Sequence, residues 1–309
     1  MSAIKIIDGV YWVGARDFNL RIFDIIMTAE QGTSYNAYVV KGSEKTALVD
    51  TVKEKFWDEH LQRLQEVVDI TAIDYLIINH AEPDHTGSIE AFLARNPELT
   101  ILGSGAAIDN LKQIANNKFN YQVVEQGDQI SLGDRTLSFI SVPFLHWPDS
   151  MYTYLEEEGI LFSCDSFGSH YPDERLFNDL IDRDFVDAYQ YYFEKIMGPF
   201  KPYVLEALDK IKDLDLQLIC PGHGPVLREN MPYYLDLYRQ WSTETRLYRE
   251  DRPLIVVAYV SAYGYTETLA NSIIEGIDSV GDFNVQKHDL LYAELERVLQ
   301  AVKEADGIL

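Results

Sequence analysis

Four short apolar runs in this chain each lead into a histidine or an aspartate. Leu76-Ile77-Ile78 opens onto NHAEPDH, which carries His80, Glu82, Asp84 and His85. LSFISVPFL precedes His146, GILFSC precedes Asp165, and LQLIC precedes the turn Pro221-Gly222-His223-Gly224. Runs of this length rich in Ile, Leu, Val and Phe read as buried strands. A single charged loop is most simply a solvated surface, but four strand ends carrying the same residue types point to one site. Of the seven histidines in the chain, four belong to this set.

On a loop, residues two apart can converge while the next pair serves a second centre, which is the geometry available to His80, Glu82, Asp84 and His85. Four histidines and three carboxylates exceed what one ion needs and suit two metals sharing a bridge. Imidazole binds zinc, copper and iron alike, so the histidines do not choose the metal. The carboxylates supply hard, negatively charged oxygen donors, which favour an ion cycling between divalent and trivalent states. Iron is therefore expected over zinc.

Composition narrows the partners. Lys and Arg total 26 against 50 Asp and Glu, a net charge of -24, and no basic patch or arginine-rich run offsets it. Nucleic acid and anionic membrane surfaces are therefore not expected partners. A membrane helix needs about 18 consecutive apolar residues, and the sequence has no such run. The N-terminal MSAIKIIDGVYWVG lacks the sustained apolar stretch and small-residue cleavage site of a signal peptide. Cys164 and Cys220 each end an apolar run without a C-x-x-C partner, as buried free thiols in a reducing cytoplasm would. A soluble cytoplasmic protein is expected.

With 309 residues, 47% of them hydrophobic, the chain has material for one large or two unequal domains. YWVGA, YNAYVVKGSEK and ALVD read as consecutive antiparallel strands. Helical spacing follows over 53–67, then strand and helix alternate: IDYLIIN, TILGS, a helix over 105–116, YQVVE, LSFISV, GILFSCD, a long helical region near 185–212, and LQLICPG. Sheets covered by helices on their outer faces fit this order. A Tyr- and Arg-rich helix over 230–250 ends before Pro253, where PLIVVAYV restarts the pattern as a parallel βαβ unit. The expected domains are 1–250 and 251–309.

In the second domain SAYGYT, residues 261–266, stands between a buried strand and a helix starting near Glu267. Small and hydroxyl-bearing residues there let backbone N–H and side-chain O–H groups wrap a phosphate at the helix N-terminus.

The order and spacing of His80-x-Glu82-x-Asp84-His85, His146, Asp165 and His223 resemble the seven-ligand pattern of flavodiiron proteins, or A-type flavoproteins, across nearly all of residues 1–250. That resemblance implies an α+β fold, a metallo-β-lactamase-like αββα sandwich with two irons at one edge of the sheets. His80, Glu82 and His146 would bind the iron nearer the flavin, Asp84, His85 and His223 the other, and Asp165 would bridge. Related hydrolases of this fold usually have histidine where Glu82 stands and usually hold zinc, so Glu82 discriminates. The family often has a tyrosine near the site, a role Tyr191 or Tyr192 could fill.

SAYGYT similarly resembles the phosphate loop of flavodoxin, with Ser261, Tyr263, Gly264 and Thr266 matching and Tyr265 in the same loop. It implies an FMN-binding, doubly wound α/β domain, of which this chain holds the N-terminal part. A flavodoxin-like sheet has five parallel strands; residues 251–309 offer two and the beginning of a third. A partial chain or impaired FMN binding is the expectation.

The resemblance implies reduction of dioxygen to water, or of nitric oxide to nitrous oxide, at two non-haem irons fed by FMN. It also implies a head-to-tail homodimer or tetramer and a rubredoxin-like electron donor. Two other readings compete. A dinuclear zinc hydrolase of the metallo-β-lactamase superfamily would attack an ester or thioester with metal-bound hydroxide. A catalytically silent flavin-binding module would keep the metal residues as structural ligands.

Overall fold

The structure, a computed structural model, describes residues 2–24, 27–181, 184–243 and 252–309. The chain divides into two compact units, Met1–Thr243 and Glu244–Leu309. The boundary expected near residue 250 lies in the stretch 244–251, outside the described residues.

The first unit is built on two mixed sheets. The larger has seven strands, in the spatial order Ile4–Ile7, Val10–Trp12, Tyr38–Lys41, Thr46–Val49, Tyr75–Ile78, Thr100–Gly103 and Asn120–Val123. Its first four pair antiparallel, as the alternating N-terminal runs imply, and the last four pair parallel. The smaller has five strands, Gln129–Ser131, Thr136–Ser141, Met151–Leu155, Ile160–Cys164 and Leu218–Pro221, antiparallel except for the last pair.

Side chains alternate across each strand with period two, and that alternation sorts the core into three layers. Tyr38, Val40, Ala47, Val49, Ile77 and Leu102 point between the sheets, against Leu137, Phe139, Met151, Phe162 and Cys220. Val39, Leu48, Leu76, Ile78 and Ile101 point the other way, onto Leu64 of the helix Trp57–Val67, Phe92 of Ile89–Arg95, and Ile108 and Leu111 of Gly105–Ile114. Ile140, Tyr152, Tyr154, Leu161 and Ile219, on the outer face of the smaller sheet, meet Tyr189, Tyr192, Val204, Leu208 and Tyr238 from three further helices. The result is helix, sheet, sheet, helix, the αββα sandwich expected.

Two sequence readings are refined. The helical region near 185–212 is segmented into Val186–Tyr192, a π-helical stretch Phe193–Met197, a short 3-10 turn Gly198–Phe200 and Lys201–Ile211. Pro199 and Pro202 each lack the N–H that a continuous helix would need. The strand Met151–Leu155 was not expected; every residue in it is buried, so it shows none of the alternation that marks a half-buried strand.

In the second unit, Asn284–Asp289, Leu254–Tyr259 and Gly307–Ile308 form a parallel sheet in that order, connected through the helices Tyr265–Val280 and Leu295–Glu304. This is the doubly wound beginning the sequence implies. Among the described residues no helix is long and apolar enough to cross a membrane.

Candidate dinuclear metal centre

His80, Asp165 and His223 follow the C-terminal ends of Tyr75–Ile78, Ile160–Cys164 and Leu218–Pro221, and His146 follows Thr136–Ser141. Buried strands cannot carry ionisable groups between the sheets without heavy desolvation cost; just past their ends those groups can meet. Glu82, Asp84 and His85 lie at the start of the short helix Pro83–Thr86, whose Pro83 occupies the first turn where no amide partner is needed.

The seven residues form two adjoining groups. In one, Glu82 Oε2 lies 3.1 Å from His80 Nε2 and 3.2 Å from His146 Nε2, while Asp165 Oδ2 lies 3.7 and 3.6 Å from the same two nitrogens. In the other, Asp165 Oδ1 lies 3.1 Å from His85 Nε2 and 3.2 Å from His223 Nε2, and Asp84 approaches these nitrogens at 3.6 and 3.3 Å. Asp165 thus turns one oxygen to each group. Glu82 and His146 keep 16% side-chain exposure, whereas His80, Asp84, His85, Asp165 and His223 are buried.

Surrounding groups fix the orientation of these side chains. Asp149, buried, faces His80 Nδ1 at 3.3 Å and accepts the Ala81 N–H at 2.7 Å. His223 Nδ1 donates to the Ser34 carbonyl at 2.6 Å; a carbonyl can only accept, so the proton is on Nδ1 and Nε2 faces the site. Tyr192 donates its hydroxyl to Asp165 Oδ1 at 3.1 Å, but Tyr191 points elsewhere and accepts the Thr28 N–H at 3.3 Å. Consecutive helical residues lie about 100° apart, so only one of the two can face the centre. Asp149 and Ser34 were not singled out from the sequence. The only signal for Asp149 is a carboxylate three residues past His146; Ser34 meets the His223 ring through its backbone carbonyl, for which residue type is no guide.

The histidines and carboxylates hold one another charged against the cost of burial. Burial alone would lower the pKa of His80, but its bonds to Asp149 and Glu82 lift it to about 10. Burial likewise opposes the charged forms of His85 and His223, and the carboxylates of Asp84 and Asp165 raise both to about 10. Against its own desolvation, Glu82 is drawn down to about 2 by His146 and His80; Asp84 and Asp165 fall below the usual range beside His85 and His223.

The donor set fits two metal ions. His80, Glu82, His146 and Asp165 offer ligand atoms within 4.8 Å of one another, and so do Asp84, His85 and His223. Among the described residues Asp84 Oδ1 and Asp165 Oδ2 are buried without a hydrogen-bond partner, a costly condition that a cation between the carboxylates relieves. Metal binding would displace the imidazole protons, the usual linkage at such sites.

In the second unit Gly264 has φ +85°, a left-handed conformation suited to glycine, and lets the loop turn into the helix Tyr265–Val280. Ser261 Oγ accepts the Gly264 and Glu267 N–H groups at 3.0 and 3.3 Å. Tyr263 and Tyr265 are 88% and 83% exposed, and Thr266 lies in the first turn, also exposed. These five residues therefore span the loop and the first helical turn that follows it, a setting in which a phosphate could be held.

The sequence model described as ODP family beta lactamase matches residues 33–224. The chain is 43% identical to the type A flavoprotein fprA of Rhodobacter capsulatus over 99% of its own length and 71% of that protein's. It is 40% identical to the flavo-diiron protein FprA2 of Clostridium acetobutylicum, covering 100% and 78%. It is also 35% identical to a nitric oxide reductase of Moorella thermoacetica, covering 99% and 76%. Among solved structures, the rubredoxin oxygen:oxidoreductase of Desulfovibrio gigas superposes with a TM-score of 0.75 at 30% identity, covering 99% of this chain and 76% of that one.

Proposed function

Because the chain belongs to the type A flavoprotein, or flavodiiron, family, we propose that it is an oxidoreductase that reduces dioxygen to water, nitric oxide to nitrous oxide, or both. The observation that carries this reading is Asp165, whose two oxygens face two separate groups of histidines and carboxylates. His80, Glu82 and His146 would hold one iron, Asp84, His85 and His223 the other, with Asp165 between. When bound, the two irons and FMN supply the electron transfer that side chains cannot perform.

The protein's own groups orient and insulate. Asp149 and Ser34 hold His80 and His223 with Nδ1 turned outward, leaving Nε2 as the donor toward the centre. Tyr192 anchors the bridging carboxylate from the helix side. Burial of five of the seven residues keeps bulk water from the inner part of the site, while Glu82 and His146 border solvent.

Ser261, Tyr263, Gly264, Tyr265 and Thr266 would grip the flavin phosphate. A head-to-tail homodimer or tetramer, in which one subunit's FMN serves the other's irons, belongs to the same reading. So does a rubredoxin-like donor, which the name of the Desulfovibrio gigas relative supports.

The test is direct. Protein isolated without oxygen is assayed for iron, zinc and FMN per chain, then for consumption of O2 and of NO from a reduced rubredoxin or chemically reduced FMN. About two irons per chain and turnover of either gas are expected. Two zinc ions with robust esterase activity, or a fully loaded protein inert to both gases, would overturn it.

A further inference from the structure

The turn Pro221-Gly222-His223-Gly224 is held by a residue that no ligand pattern points to. Asn36 is buried, just beyond the strand Thr33–Tyr35. Its backbone N–H donates to the Gly222 carbonyl at 2.8 Å. Its side-chain Nδ2 donates to the carbonyls of Pro221 at 2.8 Å and Gly224 at 2.9 Å. One residue therefore binds the turn on both sides of His223.

The amide cannot be reversed. Asn36 Oδ1 accepts the indole N–H of Trp12 at 2.9 Å, and an indole nitrogen is a donor only. Trp12 is itself held, with the guanidinium carbon of Arg16 4.2 Å and that of Arg63 5.0 Å from the ring centroid. Both arginines are buried, and Arg63 Nη1 donates to the Gly14 carbonyl at 2.6 Å. Every polar contact of the Asn36 side chain thus has a fixed direction. Two residues back, within that strand, Ser34 completes the hold: its carbonyl accepts a hydrogen bond from His223 Nδ1, and its Oγ accepts the Gly224 N–H at 2.8 Å.

We propose that Asn36 is a positioning residue for His223: its locked amide sets the turn so that Nε2 meets the space shared with Asp84 and Asp165, and it thereby governs metal affinity at that half of the centre alone. The inference rests on reading His223 as a ligand. Asparagine is needed because the position requires one acceptor toward Trp12 and two donors toward carbonyls. Aspartate would set an oxygen against two carbonyl oxygens, and alanine would leave the Trp12 N–H and the Gly224 carbonyl buried and unpaired. The Pro221 carbonyl would keep a partner, since Tyr38 donates to it at 2.6 Å.

The experiment compares the unmutated chain with Asn36→Asp, Asn36→Ala and the milder Trp12→Phe, each made metal-free and titrated without oxygen with Fe(II) against a chelator. Expected is unchanged affinity for one ion and a loss of about 10- to 100-fold for the other, the size typical of outer-sphere changes, with Trp12→Phe losing less. Cobalt(II) in place of iron should change absorption bands from one position only. Unchanged affinity for both ions in a folded Asn36→Ala protein, or equal weakening of both, would overturn the proposal. If the Asn36 variants do not fold, Trp12→Phe and Ser34→Ala decide by the same criterion.

Amide exchange in the metal-free proteins separates the two levels. Faster exchange at Gly224 in the variants supports the hold on the turn even if the unmutated chain binds only one ion, a result that would instead sink the two-metal reading. Unchanged exchange would overturn the hold itself.

Discussion

Tyr192 donates its phenolic proton to Asp165 Oδ1 across 3.1 Å, from the last turn of the helix Val186–Tyr192 where a π-helical stretch begins. Such stretches recur at functional sites. Burial and the neighbouring Asp165 charge raise the Tyr192 pKa far above its usual value, so it stays a neutral donor.

Replacing Tyr192 with Phe keeps the ring and removes one bond to a charged acceptor. Stability should fall by about 1.5–3 kcal/mol, metal content should stay at two, and turnover should drop about 10-fold or more. Tyr191→Phe, which loses a hydroxyl that accepts the Thr28 N–H, should leave turnover unchanged. Parallel assays of gas consumption and metal content check the contrast; equal effects from both variants would remove Tyr192 from the site's working parts.

Asp165→Ala removes the carboxylate that faces both groups. Iron should fall to one per chain or fewer, while the flavin loop, which lies in the other unit, keeps its properties. Elemental analysis and flavin titration provide the check. Two irons with full activity would rule out a bridging role.

Gly222→Ala tests the packing behind the centre. A Cβ there would come 2.7 Å from His85 Cε1 and 3.1 Å from the Cys164 backbone carbon. His85 is buried and close to Asp165, and Cys164 already has φ +47°, so neither side yields readily. The expected result is a destabilisation of about 1–3 kcal/mol together with weaker binding at the His85 and His223 half, read from urea unfolding of the metal-free protein and from metal titration.

Much of this architecture is legible in the order of the amino acids. The strands that run into His80, Asp165 and His223 announce themselves as apolar runs, and burial forces the ionisable groups to their ends. What stays hidden has physical causes. Met151–Leu155 is buried on both faces and so lacks alternation. Tyr191 and Tyr192 differ by one helical step, and which faces inward depends on how that helix packs, not on its own residues. Asn36 reads as an ordinary polar position in YNAYVVKGSEK, since its partners are carbonyls 185 and 188 residues away. Side chains that act by holding distant backbone leave no spacing pattern.

His60 gives a pH test away from the candidate metal centre. It is fully buried on the helix Trp57–Val67, with Nδ1 donating to the Val13 carbonyl at 2.7 Å and Nε2, near Trp57 and Phe92, without a partner among the described residues. Burial lowers its pKa from 6.5 to about 4; the Val13 bond opposes this and the Arg63 charge adds to it. Between those values the unfolded chain binds a proton that the folded chain refuses, so stability is full above pH 6.5 and falls as pH drops toward 4. The slope from this one group is about 1.4 kcal/mol per pH unit. His60→Phe keeps the ring volume and removes the titration. The difference in unfolding free energy between variant and unmutated protein, measured by urea at successive pH values, should shift by that slope from pH 6.5 to 4. A constant difference across the range would show that His60 is protonated equally in the folded and unfolded states.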